Sequence, residues 1–307
     1  MADLSVELLG LRFANPVLPA AGPTVWSGKA MVACVAGGAG GLVSKTISTT
    51  AATVPQPCMA ETGRASLLNT ELWAEYPPEQ YIEHEYALAR QAGVPLIISL
   101  GYTADQVAAL APRVKPFADA LELSTHYVGD DTRPMQEAIR AAKRAVNVPV
   151  IVKMSPFRDV VSGARAALAA GADGLVAVNS FGPAFGLDIE TGRSLMGSKD
   201  GYGWLSGASL KPLGLRCVYD IAQITDRPIF GVGGISHGLD AIEYILAGAS
   251  AVQVCTAGIL RGPRVYGKIA QEISDWLDKH GYASVSQIKG LALTTTRRLE
   301  SWHPVFA

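Results

Sequence analysis

Several polar residues in this chain of 307 residues each follow a short apolar run: Lys45, Ser124, Lys153, Asn179 with Ser180, the pair Gly233–Gly234, and Cys255–Thr256. The lysines offer cationic donors. The asparagine offers a neutral amide, and glycines let the main chain approach a ligand closely. Bare N–H groups at a helix start favour an anion. A ligand that joins a phosphate to an electron-accepting ring would use all of these groups at once. Flavin mononucleotide (FMN) is such a ligand, and a buried ammonium stabilises the negative charge its ring gains near N1 on reduction. Taken singly, a strand-end lysine is more simply read as the partner of a neighbouring carboxylate.

For these groups to meet, the strand ends must open on one face. The stretch Ile229–Thr256 shows the repeating unit: apolar runs Ile229–Val232 and Ala251–Val254 flank a segment with Leu239, Ile242, Ile245 and Leu246 at helical spacing. Continuous apolar runs suit parallel strands covered on both faces. Six earlier runs match them: Asn15–Ala20, Gly41–Lys45, Leu96–Leu100, Ala120–Leu123, Val150–Lys153 and Gly174–Val178. Helical segments lie between, at Met31–Ala36, Glu79–Gln91, Ala104–Phe117, Pro134–Val146, Val160–Ala170 and from about Leu210 to Ile224, with Pro263–His280 after the last strand. This alternation predicts an α/β fold, a (β/α)8 TIM barrel, in which the loops after strands 7 and 8 commonly hold a phosphate. Two connections are long: Thr46 to about Val94 after strand 2, and Phe181 to Arg227 after strand 6. The reading is one FMN-binding barrel domain over residues 1–307, with a C-terminal extension from about 284.

Hydrophobic residues make up 49% of the chain and charged residues 17%, which predicts a large buried interior. A net charge of -1 argues against nucleic acid as a partner. The four cysteines, Cys34, Cys58, Cys217 and Cys255, form no CxxC pair, so no metal site, iron–sulfur cluster or disulfide framework is expected. The N-terminal residues lack a basic stretch leading into an apolar one, and no run reaches the ~18 apolar residues of a membrane span. A cytoplasmic protein is the expectation.

The ordered motifs VELLGLRFANPVLPAAG, VSKTIS, LLNTEL, LEL, VKMSP, VAVNS, GYGWLSGASLKPLGLR, GVGGI and VQVCTA run from about Val6 to Leu260. Together they resemble the class 1 dihydroorotate dehydrogenase family, and are most similar to the flavin-bearing barrel of dihydropyrimidine dehydrogenase. The resemblance implies an FMN-dependent oxidoreductase acting on a CH–CH bond. It places Ala20, Ala21 and Gly22 beside the isoalloxazine, Lys45 and Thr46 at the ring and ribityl region, and Lys153 near N1. Ser206 and Gly207 would line the cofactor, Asn179 would reach it, and Gly233, Gly234, Cys255 and Thr256 would hold its phosphate. Asn69 and Asn179 match substrate-binding asparagines, with Ser124 and Ser180 beside them. Glu71 matches a glutamate that accepts hydrogen bonds from ring N–H groups.

One segment departs from the family. Its Asn-Leu-Ser-Cys-Pro run after strand 4, whose cysteine moves a proton at the substrate carbon, is replaced here by Ser124-Thr125-His126-Tyr127-Val128. An ungapped match puts Tyr127 at the cysteine and His126 at the serine. With reference pKa values of ~10 and ~6.5, either is a candidate acid or base, with Lys153 as the third catalytic candidate. The expected substrate is therefore a small cyclic or unsaturated compound other than dihydroorotate. The family's two-component members pass electrons through an iron–sulfur partner. This chain lacks the cysteines for a cluster, so a soluble acceptor or a separate electron-transfer subunit is expected. Family members are commonly homo-oligomers. Two other readings compete: a non-catalytic flavoprotein subunit, motivated by the missing cysteine, and a barrel lyase using Lys45 or Lys153 as a Schiff base. Among the remaining candidates, Trp73 and Trp204 read equally as stacking partners for a planar substrate and as simple packing, and Trp26 lies in a segment nearby. His84 reads as solvent-facing, His237 as a helix cap, and Arg193, Lys199, Arg297 and Arg298 as surface charges.

Overall fold

The computed structural model describes residues 1–124, 131–156 and 159–295. Eight strands form one parallel sheet: β1 (Val17–Pro19), β2 (Leu42–Val43), β3 (Leu96–Leu100), β4 (Ala120–Ser124), β5 (Val150–Met154), β6 (Gly174–Ala177), β7 (Ile229–Val232) and β8 (Ala251–Val254). Their hydrogen-bonded order is β1-β8-β7-β6-β5-β4-β3-β2, which is the sequence order wrapped round a barrel. At the seam between β1 and β2 there is no ladder. There the Gly40 N–H donates to the Val17 carbonyl at 2.9 Å, which brings the two ends of the sheet together.

The strands are apolar because helices cover their outer faces. The outward residues of the strands, among them Val17, Ile98, Leu121, Val152, Leu175 and Val252, pack with helix residues such as Leu110, Ile139, Ile221 and Ile269. The inward residues form a separate core with one side chain from each strand: Leu18, Val43, Ile97, Ala120, Ile151, Val176, Phe230 and Ala251. A hairpin of Val6–Leu8 and Leu11–Phe13 closes the N-terminal mouth and inserts Phe13 into this core. Because side chains alternate along a strand, the next inward positions are two residues further on. They are Ala20, Lys45, Ser99, Glu122, Lys153, Val232 and Gln253. One pleat up, five of these seven positions are polar or charged, while Ala20 and Val232 stay with the apolar core.

The long connections after β2 and β6 are where structure exceeds the sequence expectation of extended loops. Both contain strands, and they pair with each other. Phe181–Phe185, Tyr202–Gly207, Ser66–Asn69 and Met59–Gly63 lie in that order in a four-stranded antiparallel sheet. These strands are short, glycine-bearing or polar, so they carry little alternation for a sequence reading to detect. The sheet stands at the C-terminal mouth of the barrel. The helices fall near their predicted places. The expected Glu79–Gln91 helix is Pro78–Arg90, with a π-helical turn over Tyr81–Glu85. Beyond the last barrel helix, Val265–His280, the chain returns to the N-terminus, where Asp3 bridges to Ser284. Among the described residues no helix is long and apolar enough to cross a membrane.

Candidate active site

The C-terminal ends of the strands and the cap sheet enclose one pocket, with about 1060 Å³ of unfilled space including its open mouth. The described residues proposed above for cofactor or substrate, Trp73 excepted, line it: Ala20, Ala21, Gly22, Lys45, Thr46, Asn69, Glu71, Ser124, Lys153, Asn179, Ser180, Ser206, Gly207, Gly233, Gly234, Cys255 and Thr256. His126 and Tyr127 lie outside the described residues, as do Arg297 and Arg298.

The pocket floor is the polar layer of the barrel. Lys45 and Lys153 are both 4% exposed, and each has a carboxylate, held differently. Lys45 Nζ donates to Glu71 Oε2 at 2.6 Å, and Glu71 keeps partial contact with solvent. Lys153 Nζ stands 3.9 Å from Oε1 of Glu122, a residue wholly excluded from solvent. The other Glu122 oxygen accepts from Gln253 Nε2 at 2.8 Å. A direct pair between Lys45 Nζ and Glu71 suits charge binding rather than imine formation, which weighs against the Schiff-base reading. Ser124 is cross-strand neighbour to Lys153, so the C-terminal end of β4 lies beside the floor.

A cradle of main chain forms one side. Gly207 has φ +84°, and a Cβ there would lie 2.2 Å from the Ala65 carbonyl oxygen. Gly234 has φ +71°, and a Cβ there would lie 2.8 Å from the Gly207 carbonyl oxygen. Neither position accepts a side chain. Thr256 Oγ1 donates to Ser206 Oγ at 3.2 Å across the same cradle. Behind it, Tyr244 OH donates to the Gly233 carbonyl at 2.7 Å, and Asp240 accepts from the N–H groups of Ser236 and His237. Burial opposes charge on Asp240, but the Lys211 ammonium and those two N–H groups outweigh it and hold its carboxyl below the ordinary range. Cys255 sits against Gly22, where a Cβ would meet its Sγ at 2.7 Å. Burial pushes the Cys255 thiol up, against the pull of the Lys153 and Lys45 ammoniums, so it stays a neutral thiol at neutral pH.

The residues present fit FMN. A glycine cradle that a Cβ would fill offers main-chain room for a phosphate, and two buried lysines offer cations to a ring that gains charge. Gln253 lines the pocket, and its buried Oε1 has no hydrogen-bond partner among the described residues and offers an acceptor. On the cap side, Asn69 Nδ2 donates to the Trp204 carbonyl at 2.9 Å and its Oδ1 accepts from the Glu71 N–H at 3.3 Å, so Asn69 also positions Glu71. Asn179 Oδ1 accepts from the Ser180 N–H at 2.8 Å.

Some expectations change. Trp204 lines the pocket but Trp73 does not: its indole N–H donates to the Thr50 carbonyl at 2.7 Å and its ring packs edge-on to Tyr102, which takes the pocket-lining place. Trp26 lies at an adjoining shallow pocket with Tyr76 and Tyr81. His84, Arg193 and Lys199 are exposed, as read from the sequence, and His237 stands at the N-cap of Gly238–Leu246. Glu122 and Gln253 were missed as site residues. The alternation that marks Ala120 and Ala251 as inward places both of them inward as well.

A family profile described as dihydroorotate dehydrogenase matches residues 3–277. Among curated relatives, the catalytic subunit of dihydroorotate dehydrogenase B (NAD(+)) from Pyrococcus horikoshii is 34% identical, over 94% of this chain and 98% of its own length. The subunit of the same description from Pyrococcus abyssi is 35% identical over 94% of this chain and 99% of its own. That from a Geobacter strain is 32% identical over 94% and 97%.

Proposed function

The chain belongs to the dihydroorotate dehydrogenase family, whose members are FMN-binding oxidoreductases, and from that premise we propose that it acts on a CH–CH bond of a small cyclic or unsaturated substrate other than dihydroorotate. When bound, FMN supplies a hydride acceptor at N5. The observation that carries the reading is the join at the end of β4. Strand and floor keep the family's Leu-Glu-Leu and lysine, while the loop that should bring the proton-transferring cysteine reads Thr125-His126-Tyr127-Val128-Gly129-Asp130. His126 or Tyr127 takes that proton. Lys153 and Lys45 hold the cofactor ring, the cradle of Ser206–Gly207, Gly233–Gly234 and Cys255–Thr256 holds its phosphate, and Ala20–Gly22 and Thr46 flank the ring. Asn69, Glu71, Ser124, Asn179 and Ser180 bind the substrate. Glu71, fixed by Lys45 and by Asn69, presents a carboxylate that accepts from ring N–H groups, which selects a cyclic amide or imide.

Electrons pass to a soluble acceptor or a separate subunit, as the four scattered cysteines form no CxxC pair. Phe181, Phe185 and Tyr202 of the cap strands and Leu187 and Ile189 of the segment between them are exposed, apolar surface that suits a homo-oligomer.

The test is anaerobic bleaching of the flavin by a panel of dihydropyrimidines, cyclic imides and dihydroorotate. Bleaching by a cyclic amide, abolished in either His126→Ala or Tyr127→Phe, is the expected result. Rapid bleaching by dihydroorotate that survives both substitutions would contradict the substrate and proton assignments.

A further inference from the structure

Resting on the FMN reading, we propose that Glu122 is a positioning residue: its buried carboxylate, held from below by Gln253, fixes the Lys153 ammonium and through it sets the reduction potential of the bound flavin. Glu122 has no contact with solvent, and it does not line the pocket. It lies on the inward face of β4, one pleat above Ala120 of the apolar core. Its Oε2 is tied to Gln253 Nε2 at 2.8 Å, while Oε1 is buried without a hydrogen-bond partner among the described residues and stands 3.9 Å from Lys153 Nζ. That spacing is too long for a hydrogen bond and short enough for charge to be felt strongly in a barrel interior.

A purely structural account of this arrangement is poor. The layer below shows that these strands pack well with apolar side chains alone. Replacing a buried charged pair by apolar groups is commonly neutral or stabilising, so a carboxylate with one unsatisfied oxygen is a costly way to fill the space. The Lys45–Glu71 pair makes the contrast. Glu71 lines the pocket itself, bonds its lysine directly and keeps contact with solvent, which screens its charge. Glu122 is unscreened and reaches the pocket through Lys153.

The sign follows from the charge. A ring that gains negative charge on reduction is favoured by the Lys153 ammonium, and the Glu122 carboxylate beside that ammonium offsets part of its charge. Glu122→Gln keeps the volume and an amide able to pair with Gln253, and removes the negative charge. It is expected to raise the affinity for reduced over oxidised FMN at least tenfold, a shift of the midpoint potential by about 30 mV toward positive values for a two-electron couple. A residue that merely held the fold would not move this quantity.

The experiment is a redox titration, at saturating FMN, of the full chain as wild type, Glu122→Gln, Lys153→Met and the double variant. The expected result is a positive shift in Glu122→Gln that disappears when Lys153 is already Met, the coupling of a double-mutant cycle. An unchanged potential in a yellow Glu122→Gln protein would overturn the proposal, as would a shift that persists in the Lys153→Met background. If Glu122→Gln does not fold, Glu122→Asp draws the carboxylate back from the Lys153 ammonium and is expected to shift the potential in the same direction by a smaller amount; no shift there overturns the proposal equally. A wild-type protein that takes up no FMN is a different result, and it removes the flavin reading on which the proposal stands.

Discussion

Two layers of the barrel interior, one pleat apart on the same strands, have opposite chemistry. The lower layer is Leu18, Val43, Ile97, Ala120, Ile151, Val176, Phe230 and Ala251, closed from beneath by Phe13. The upper layer holds Lys45, Ser99, Glu122, Lys153 and Gln253, all buried. Backbone, register and helix cover are shared, so the difference rests on side chains alone. The lower layer gains by excluding water and holds the barrel together. The upper layer places desolvated charge where no fold requires it, and it forms the floor of the pocket. Stability and chemistry are thus separated by about two residues along each strand.

The largest test of that separation is Phe230→Ala. It opens a cavity in the lower layer and is expected to lower the unfolding free energy by about 4 kcal/mol, measured by urea denaturation. The flavin spectrum and FMN affinity of the molecules that remain folded are expected to stay as in wild type; a loss of FMN affinity with unchanged stability would break the comparison. Next come the two lysines of the upper layer, which differ in what they leave behind. Lys153→Met strands the solvent-free Glu122 carboxyl, at an expected cost near 3 kcal/mol. Lys45→Met leaves Glu71, which reaches water, at an expected cost of about 1 kcal/mol. Equal losses in urea unfolding of the two variants would show that the upper layer does not distinguish them. FMN affinity is expected to fall in both.

The fold was legible because its strands obey one rule. The runs Leu96–Leu100, apolar but for Ser99, and Ile229–Val232 stand out, and the structure gives those bounds unchanged. The cap sheet was not legible. Ser66–Asn69 and Tyr202–Gly207 are far apart in sequence, and no local pattern in either marks the other as its partner. Within the site, residues at strand ends were visible because a lysine after an apolar run stands out. Glu122 stands inside its run, in Leu121-Glu122-Leu123, and Gln253 likewise in Val252-Gln253-Val254. A polar residue there reads as an interruption until alternation is followed around all eight strands.

The smallest effect concerns the support behind the glycine cradle, outside both layers. Asp240 has its carboxyl held below the ordinary range, so its contribution to stability is complete at neutral pH and is lost only as the pH falls through the lowered folded value. Asp240→Asn is expected to cost about 1 kcal/mol at pH 7 and to flatten the acid limb of the stability profile. A variant that matches wild type at pH 7 and differs from it only in acid would reverse that sign.

The central claim is that the upper layer and its cradle are an FMN site. It is tested most directly by the visible absorption spectrum of the purified protein, with the mass of whatever chromophore is released. The account predicts flavin bands and the mass of FMN, with binding weakened by Lys153→Met and unaffected per folded molecule by Phe230→Ala. A colourless protein that also fails to take up added FMN would contradict it.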